Sequence, residues 1–398
     1  MIIPAPLQEM RLGDVIRFAN GKAIKPGGGG RYPVYGSNGI IGQSDEFRHE
    51  NGVIIGRVGA YCGSVVYCPG KFWASDNTLV VFPISDAFDI KFLYYFLHNA
   101  KLSRYAGGAA QPLVTQTVLK QVTVDVPPLP MQRRIVAILS AYDDLIENNL
   151  RRIKILEEMA HALYREWFVH FHFPGNEKVQ MLESPMGPIP RGWKVSRLDE
   201  VSRSVQDGDW IETKDQGGND YRLLQISNIG VGEFIETGNY RFITQEAFDR
   251  LHCTEITPGD ILVARMPTPI GRAWLATTMA WRMITAVDVA IIRMEPDVLN
   301  PIFLAQAWNE LFNLQRIAAQ ASGTTRLRIT RRELAALEFV IPPILFQDRF
   351  VALIEPKLNL AMVLRTKNDN LGQTRDLLLP RLISGSVQLG NLEKVLAP

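Results

Sequence analysis

The sequence predicts an α+β chain: two mixed α/β globules separated by two long antiparallel helices that form a coiled coil, with a pseudo-twofold internal repeat. Three observations predict it. The segment VPPLPMQRRIVAIL, starting at Val126, returns as IPPILFQDRFVALI at Ile341. An apolar seam at spacings of three and four follows each copy. A Pro- and Gly-rich stretch, HFPGNEKVQMLESPMGPIPRGW, joins the halves.

Residues 1–129 read as the first globule. It opens with MRLGDV and contains the β-rich run GVIIGRVGAYCGSVV, which reaches Arg57 before a glycine-containing loop. It closes with GGAAQPLVTQTVLKQVTVDVPPLP, in which a polar tip precedes Thr115 as the N-cap of a short helix carrying Leu119, then an apolar strand. Residues 130–172 read as the first long helix. Its seam is Ile135, Leu139, Tyr142, Ile146, Asn149, Ile153, Leu156, Ala160, Leu163 and Trp167, with Asn149 as the polar member. At ~1.5 Å per residue a helix from Met131 to Phe168 is about 55 Å long, more than a lone globule needs. Residues 173–192 are the linker.

Residues 193–343 read as the second globule and repeat the framework of the first. SRLDEV answers MRLGDV, GDILVARMPTPIGRAWL brings Arg265 to the place of Arg57, and SGTTRLRITRRELAALEFVIPPIL brings Thr330 and Leu334 to the places of Thr115 and Leu119. The offset between copies grows from 186 to 215 residues, so the second globule carries insertions in its middle. Residues 344–386 read as the second long helix, with the seam Ile354, Ala361, Leu364, Asn368, Leu371 and Leu378. Pro356 is expected to kink or delay it, because proline removes an amide donor. Asn368 does not align with Asn149, yet each is a polar seam residue able to fix register. Residues 387–398 form a tail. Matching seams favour pairing of the two helices over packing of each against its own globule.

Composition narrows the function. The chain has 398 residues, 46% hydrophobic and 21% charged, as expected of a water-soluble globular protein. It shows no membrane span and no signal peptide, and Cys62, Cys68 and Cys253 read as reduced thiols, so the expected location is cytoplasmic. Net charge is +2, so any anion-binding claim rests on local clusters. The densest is TTRLRITRREL, with Arg326, Arg328, Arg331 and Arg332.

Catalytic motifs are missing. No GxxxxGK[ST] loop is present, PGGGGR reads as a flexible loop, and GRVGAYCG is no dinucleotide fingerprint. No catalytic residue and no metal site is expected. Asp207, Glu212 and Lys214 sketch a nuclease-like D…ExK, but in a polar loop without flanking apolar strands.

The order globule, PPLPMQ, long helix, globule, PPILFQ, long helix, ending in LLLPRLISG, resembles the specificity subunit of type I restriction-modification enzymes. YPVYGSNGIIG and GGAAQPLVTQTVL strengthen the likeness; PPILFQ in the second copy departs from the family's usual PPLxEQ. The resemblance implies a non-catalytic adaptor. Its two globules would be target-recognition domains, each reading one half of a bipartite, asymmetric site on double-stranded DNA. The helix pair would set the spacing and dock two methyltransferase subunits, with motor-nuclease subunits in the full complex. S-adenosylmethionine, ATP and Mg would belong to those partners, and this chain would carry no cofactor. Base reading needs Arg, Asn, Gln and Thr on loops. The first half offers Tyr35, Ser37, Asn38, Arg57, Lys71, Arg104 and Gln111; the second offers Gln225, Ser227, Asn228, Arg265, Thr268, Arg272, Arg326 and Arg328. Two other readings stay open: a protein–protein scaffold without DNA readout, and a nuclease using Asp207, Glu212 and Lys214.

Overall fold

The structure, a computed structural model, describes residues 7–85, 88–108, 112–323 and 326–386. It divides into two compact units. Unit 1 combines the first 150 residues with those from Arg365 onward, and unit 2 holds Arg151–Leu364.

In unit 1 six strands form one sheet, ordered Ile16–Asn20, Thr78–Pro83, His49–Gly56, Val65–Ala74, Tyr32–Gly36, Gly39–Ser44. Every pairing is antiparallel except that of Val65–Ala74 with Tyr32–Gly36. Alternation along the strands serves both faces. Val53, Ile55, Leu79 and Val81 enter the main core, while Ile54, Phe72 and Val80 join a smaller cluster. The helix Ile90–Asn99 covers the main face with Phe92, Leu93, Phe96 and Leu97. Its N-cap, Asp89, accepts from the amides of Lys91 and Phe92.

Unit 2 has a different middle. Four antiparallel strands are ordered Ser202–Asp207, Val289–Met294, Ile261–Ala264, Ala273–Leu275. A second sheet is ordered Phe242–Ile243, Tyr221–Leu224, Arg282–Thr285. The helices Pro301–Asn309 and Leu311–Ala319 pack on the first sheet through Phe303, Leu304, Trp308 and Ile317. The sequence placed the insertions here, and the second sheet lies among them.

Around these middles the two units share a frame. In unit 1 Gln8–Arg11 pairs antiparallel with Thr123–Val126; in unit 2 Lys194–Arg197 pairs with Glu338–Ile341. The amide of Leu12 donates to Val122 O at 2.9 Å, and that of Leu198 donates to Leu337 O at 2.8 Å. Thr115 caps the helix Gln116–Lys120 and Thr330 caps Arg331–Ala335, in which Glu333 completes a capping box. Leu119 and Leu334 are fully buried.

The repeated Pro-Pro…Gln has a physical purpose. Gln132 is 1% exposed and donates to Pro127 O at 2.9 Å, while its own oxygen accepts from Asp89 N at 2.9 Å. Gln347 is fully buried; it donates to Pro342 O at 2.8 Å and Val298 O at 3.0 Å, and accepts from Asn300 N at 2.8 Å. Each glutamine therefore clips the start of a long helix to the N-cap residue of a shorter one, Asp89 or Asn300.

The long helices run Leu129–Tyr164, continued by a π-turn at Arg165–Val169, and Ile344–Ile383. They do not stand apart from the globules, as the division at 130 and 344 implied. In unit 1, Ile135, Ile138 and Leu139 share the main core with Leu379, Leu382 and Ile383. In unit 2, Tyr164 and Phe168 meet Phe303 and Phe350 in one aromatic cluster. Between these ends, Ile153, Ala361 and Leu364 form a small buried cluster with Leu156 in unit 2. In unit 1, Arg375 pairs with Asp143 at 2.6 Å, and Asp143 accepts from the Tyr95 hydroxyl.

Pro356 does not interrupt the second helix. Ala352, whose carbonyl loses its usual donor, is exposed to water. Next to it, the Lys357 ammonium donates to Leu353 O at 2.6 Å. Among the described residues no helix is long and apolar enough to cross a membrane. The tail at 387–398 lies outside them.

Candidate nucleic-acid interface

Each unit builds a loop on the same plan. Gly107 and Leu113 exchange both backbone hydrogen bonds, at 2.9 and 2.8 Å, and Ser322 and Arg328 do the same, both at 3.0 Å. Each loop base then hangs from an arginine carbonyl. Val114 N donates to Arg57 O at 2.9 Å, and Ile329 N donates to Arg265 O at 3.2 Å. The arginine amides are also tied, Arg57 N to Asn77 O at 3.0 Å and Arg265 N to Asp288 O at 3.1 Å. Backbone hydrogen bonds at the loop base, tied to a sheet end, fix where each loop leaves and rejoins the fold.

In unit 1 the candidates differ in freedom. Asn38 is exposed at the tip of the hairpin between Tyr32–Gly36 and Gly39–Ser44. Ser37 is committed to the frame, donating to Asn77 O at 2.7 Å. Tyr35 is buried at 8% exposure, and burial, with Cys68 beside it, pushes its hydroxyl well above the usual tyrosine range. Lys71 is exposed, with its ammonium 4.5 Å from the Phe47 ring centre. Arg104 is exposed and donates to the Tyr105 hydroxyl at 2.7 Å. Arg57 is half-buried, and its Nε has no hydrogen-bond partner. Gln111 lies outside the described residues.

In unit 2 several candidates hold the loops up instead of facing outward. Arg272 is 9% exposed and donates to four carbonyls: Ile229 at 2.6 Å, Pro267 at 2.7 Å, Ile226 at 3.0 Å and Pro269 at 3.2 Å. Asn228 is 2% exposed; it accepts from Gln225 N and donates to Ile235 O, both at 2.9 Å. Arg265 is 3% exposed, with Nη1 2.7 Å from Asp207 Oδ1. Burial lowers its pKa and Asp207 opposes that, with Arg328, Asp288 and Arg331 close enough to contribute. These three are corrections to the reading of free base contacts: all are enclosed, Arg272 and Asn228 are hydrogen-bonded within the fold, and Arg265 is paired with Asp207 although its Nε has no partner. Tyr35 in unit 1 joins them. Gln225 is half-buried, whereas Ser227 and Thr268 are exposed. Arg326 is exposed, and Arg328 pairs with Asp288 at 3.0 Å while 38% of its side chain stays open.

Asp288 was missed by sequence reasoning. It lies 40 positions from Arg328, and nothing in its neighbours VDVAII marks it as a partner. The nuclease sketch does not assemble. Asp207 is taken by Arg265, and Lys214 pairs with Glu212 at 2.8 Å on the surface. Among the described residues no group of three His, Cys, Asp or Glu side chains is placed to hold a metal.

Comparisons with known proteins point to one family. Residues 4–158 match the family described as the type I restriction modification DNA specificity domain. Over 308 residues the chain is 24% identical to the type I restriction enzyme MjaIX specificity subunit of Methanocaldococcus jannaschii, covering 76% of this chain and 70% of that one. Over 411 residues it is 22% identical to the MjaVIII specificity subunit of the same organism, covering 98% and 95%. Among solved structures, the S subunit of the type I restriction-modification system of M. genitalium has a similar fold. Its TM-score is 0.57 at 14% identity, over 96% of this chain and 98% of that one.

Proposed function

Because the chain belongs to the specificity subunits of type I restriction-modification enzymes, which are non-catalytic DNA-recognition subunits, we propose that it reads one bipartite, asymmetric DNA site with its two units. Residues 1–129 and 193–343 are the two target-recognition domains, and each reads one half-site. The observation that carries this is the pair of clamped loops, Gly107–Leu113 and Ser322–Arg328, built on one frame but set in unlike middles. Equal frames suit equal attachment; unlike middles suit unlike sequences. Base readout falls to the exposed Asn38, Lys71 and Arg104 in unit 1, to the exposed Ser227, Thr268 and Arg326 and the partly open Arg328 in unit 2, and to Gln111, which lies outside the described residues.

The two long helices act as an antiparallel coiled coil that sets the spacing of the half-sites, with Leu139, Tyr142, Ile146, Asn149, Ile153, Leu156, Ala361, Leu364, Asn368 and Leu371 as its seam. At ~1.5 Å per residue they extend about 54 and 60 Å, enough to hold two readers a DNA turn of roughly 34 Å apart. The helices also offer protein contact. On the first, Leu145 and Leu150 in unit 1 are 49% and 55% exposed, and Ile155 and Met159 in unit 2 are 55% and 48% exposed. Apolar side chains left open on a polar helix suit docking of two methyltransferase subunits. Those subunits supply S-adenosylmethionine, and motor-nuclease subunits supply ATP hydrolysis and Mg chemistry.

Replacing residues 1–129 with the corresponding domain of another specificity subunit tests the reading. One half of the methylated site should change and the other should stay. An unchanged site would favour the scaffold reading, in which the same exposed helix residues join proteins and no base is read.

A further inference from the structure

We propose that Asp288 is a specificity-determining residue: its carboxylate braces Arg328 so that the open edge of the guanidinium reads a guanine in the half-site of unit 2. The inference rests on the DNA-reading function above and names one base within it.

The arrangement has two layers. The inner layer is rigid. Arg265 is enclosed, paired with Asp207 at 2.7 Å, and its amide is bound to Asp288 O at 3.1 Å. Its own carbonyl holds Ile329 N at 3.2 Å, which fixes the residue after Arg328. The outer layer is the reader. The backbone of Arg328 is held on both sides by Ser322, at 3.0 Å each way. Its Nη2 lies 3.0 Å from Asp288 Oδ1, with 38% of the arginine side chain and 25% of the aspartate side chain exposed.

A guanidinium has five N–H donors in a planar fork, and one carboxylate oxygen occupies part of one edge. The rest matches the O6/N7 acceptor pair that guanine shows in the major groove. A long flexible arginine ordinarily loses rotamer freedom on binding. One already held at its backbone and at Nη2 has lost much of it in the free protein, so the bidentate contact is pre-organised. A half-open carboxylate on a DNA-facing surface is otherwise unfavourable, because phosphates repel it. Its presence beside an arginine is explained by bracing.

Unit 1 lacks this device among its described residues. Arg57 occupies the place of Arg265, but among the described residues it has no carboxylate partner, whereas Arg265 has Asp207. Asn77 contributes the carbonyl that Asp288 contributes in unit 2, and as asparagine it has no charge with which to brace an arginine.

The test uses the full chain co-expressed with its methyltransferase subunit, with methylated adenines mapped genome-wide for the unsubstituted chain, Asp288→Asn and Arg328→Lys. Asp288→Asn keeps the backbone carbonyl that ties Arg265, and Arg328→Lys keeps charge but not the fork. The expected result is a guanine in one half-site whose discrimination against other bases falls about tenfold in both variants. The other half-site stays unchanged and proves folding and assembly. Three results would overturn the proposal: a fully retained motif in both variants, weaker methylation with an unchanged motif, which marks a phosphate contact, or loss of both half-sites, which marks a structural role. If the unsubstituted chain yields no two-part motif, the DNA-reading function itself fails first, and the brace with it.

Discussion

Asn149 donates its side-chain amide to the side-chain oxygen of Asn368 at 2.8 Å, and Asn368 donates in turn to the backbone carbonyl of Ile146 at 3.3 Å. The two asparagines lie 219 residues apart, one on each long helix, and Asn149 is 5% exposed. An amide pair of this kind, with Asn149 buried and Asn368 half-buried, is satisfied in one register. Asn149→Leu should remove the donor to the Asn368 side-chain oxygen, leave Asn368 its bond to Ile146 O, and destabilise the protein by ~0.5–1.5 kcal/mol in urea titration. The double change to leucine should recover most of that loss, because an apolar pair leaves nothing unsatisfied. Additive losses would show that the two side chains do not act as a pair.

Gln132 and Gln347 should each matter to stability. Gln347→Ala frees the Pro342 and Val298 carbonyls and the Asn300 amide, and Gln132→Ala frees at least the Pro127 carbonyl and the Asp89 amide. With ~1–3 kcal/mol for leaving a buried group unsatisfied, both should lower stability. Hydrogen exchange should quicken at Asn300 N in one variant and at Asp89 N in the other. Protection retained at both amides would refute the clip.

Arg272 should be a unit 2 residue only. Four carbonyls depend on it, and a hydrogen bond to a charged group contributes ~1.5–3 kcal/mol. Arg272→Met should lower the thermal midpoint and abolish recognition of one half-site, and Arg272→Lys should restore little, because an ammonium cannot span the fork. Half-site loss with an unchanged midpoint would make Arg272 a direct base contact after all.

Asp209 gives the fold a pH dependence of unusual sign for a carboxylate. Burial pushes it up to about 6 from 3.8, partly opposed by the hydrogen bond from Thr254 N. The folded chain then holds this proton more tightly than the unfolded one, so Asp209 favours folding at low pH. That contribution is lost as pH rises from 3.8 to about 6. Asp209→Asn should flatten this slope and leave stability at neutral pH unchanged or higher. Stability curves for the two proteins that run parallel across this range would contradict it.

Much of the frame was legible because it is local and occurs twice. Thr115 and Thr330 announce caps, the proline pairs announce helix starts, and a constant offset places Gln132 over Gln347. Their clips could not be read, since the partners Asp89 and Asn300 lie more than forty positions upstream. The candidate interface was legible as composition only. Arg265, Arg272 and Asn228 have the right residue types, yet whether such a side chain faces water or four carbonyls depends on pairings between distant strands. The same holds for Asp288, whose role exists only through Arg328. Pro356 shows the limit of a local rule: the missing donor matters little where the freed carbonyl meets water.

The most direct measurement of the central claim is the methylome of a host without adenine methylation that expresses this chain with its methyltransferase subunit. Two reading units at fixed spacing predict a new motif of two short specified halves around a constant gap. An active, stably assembled methyltransferase that produces no such split motif would contradict the account.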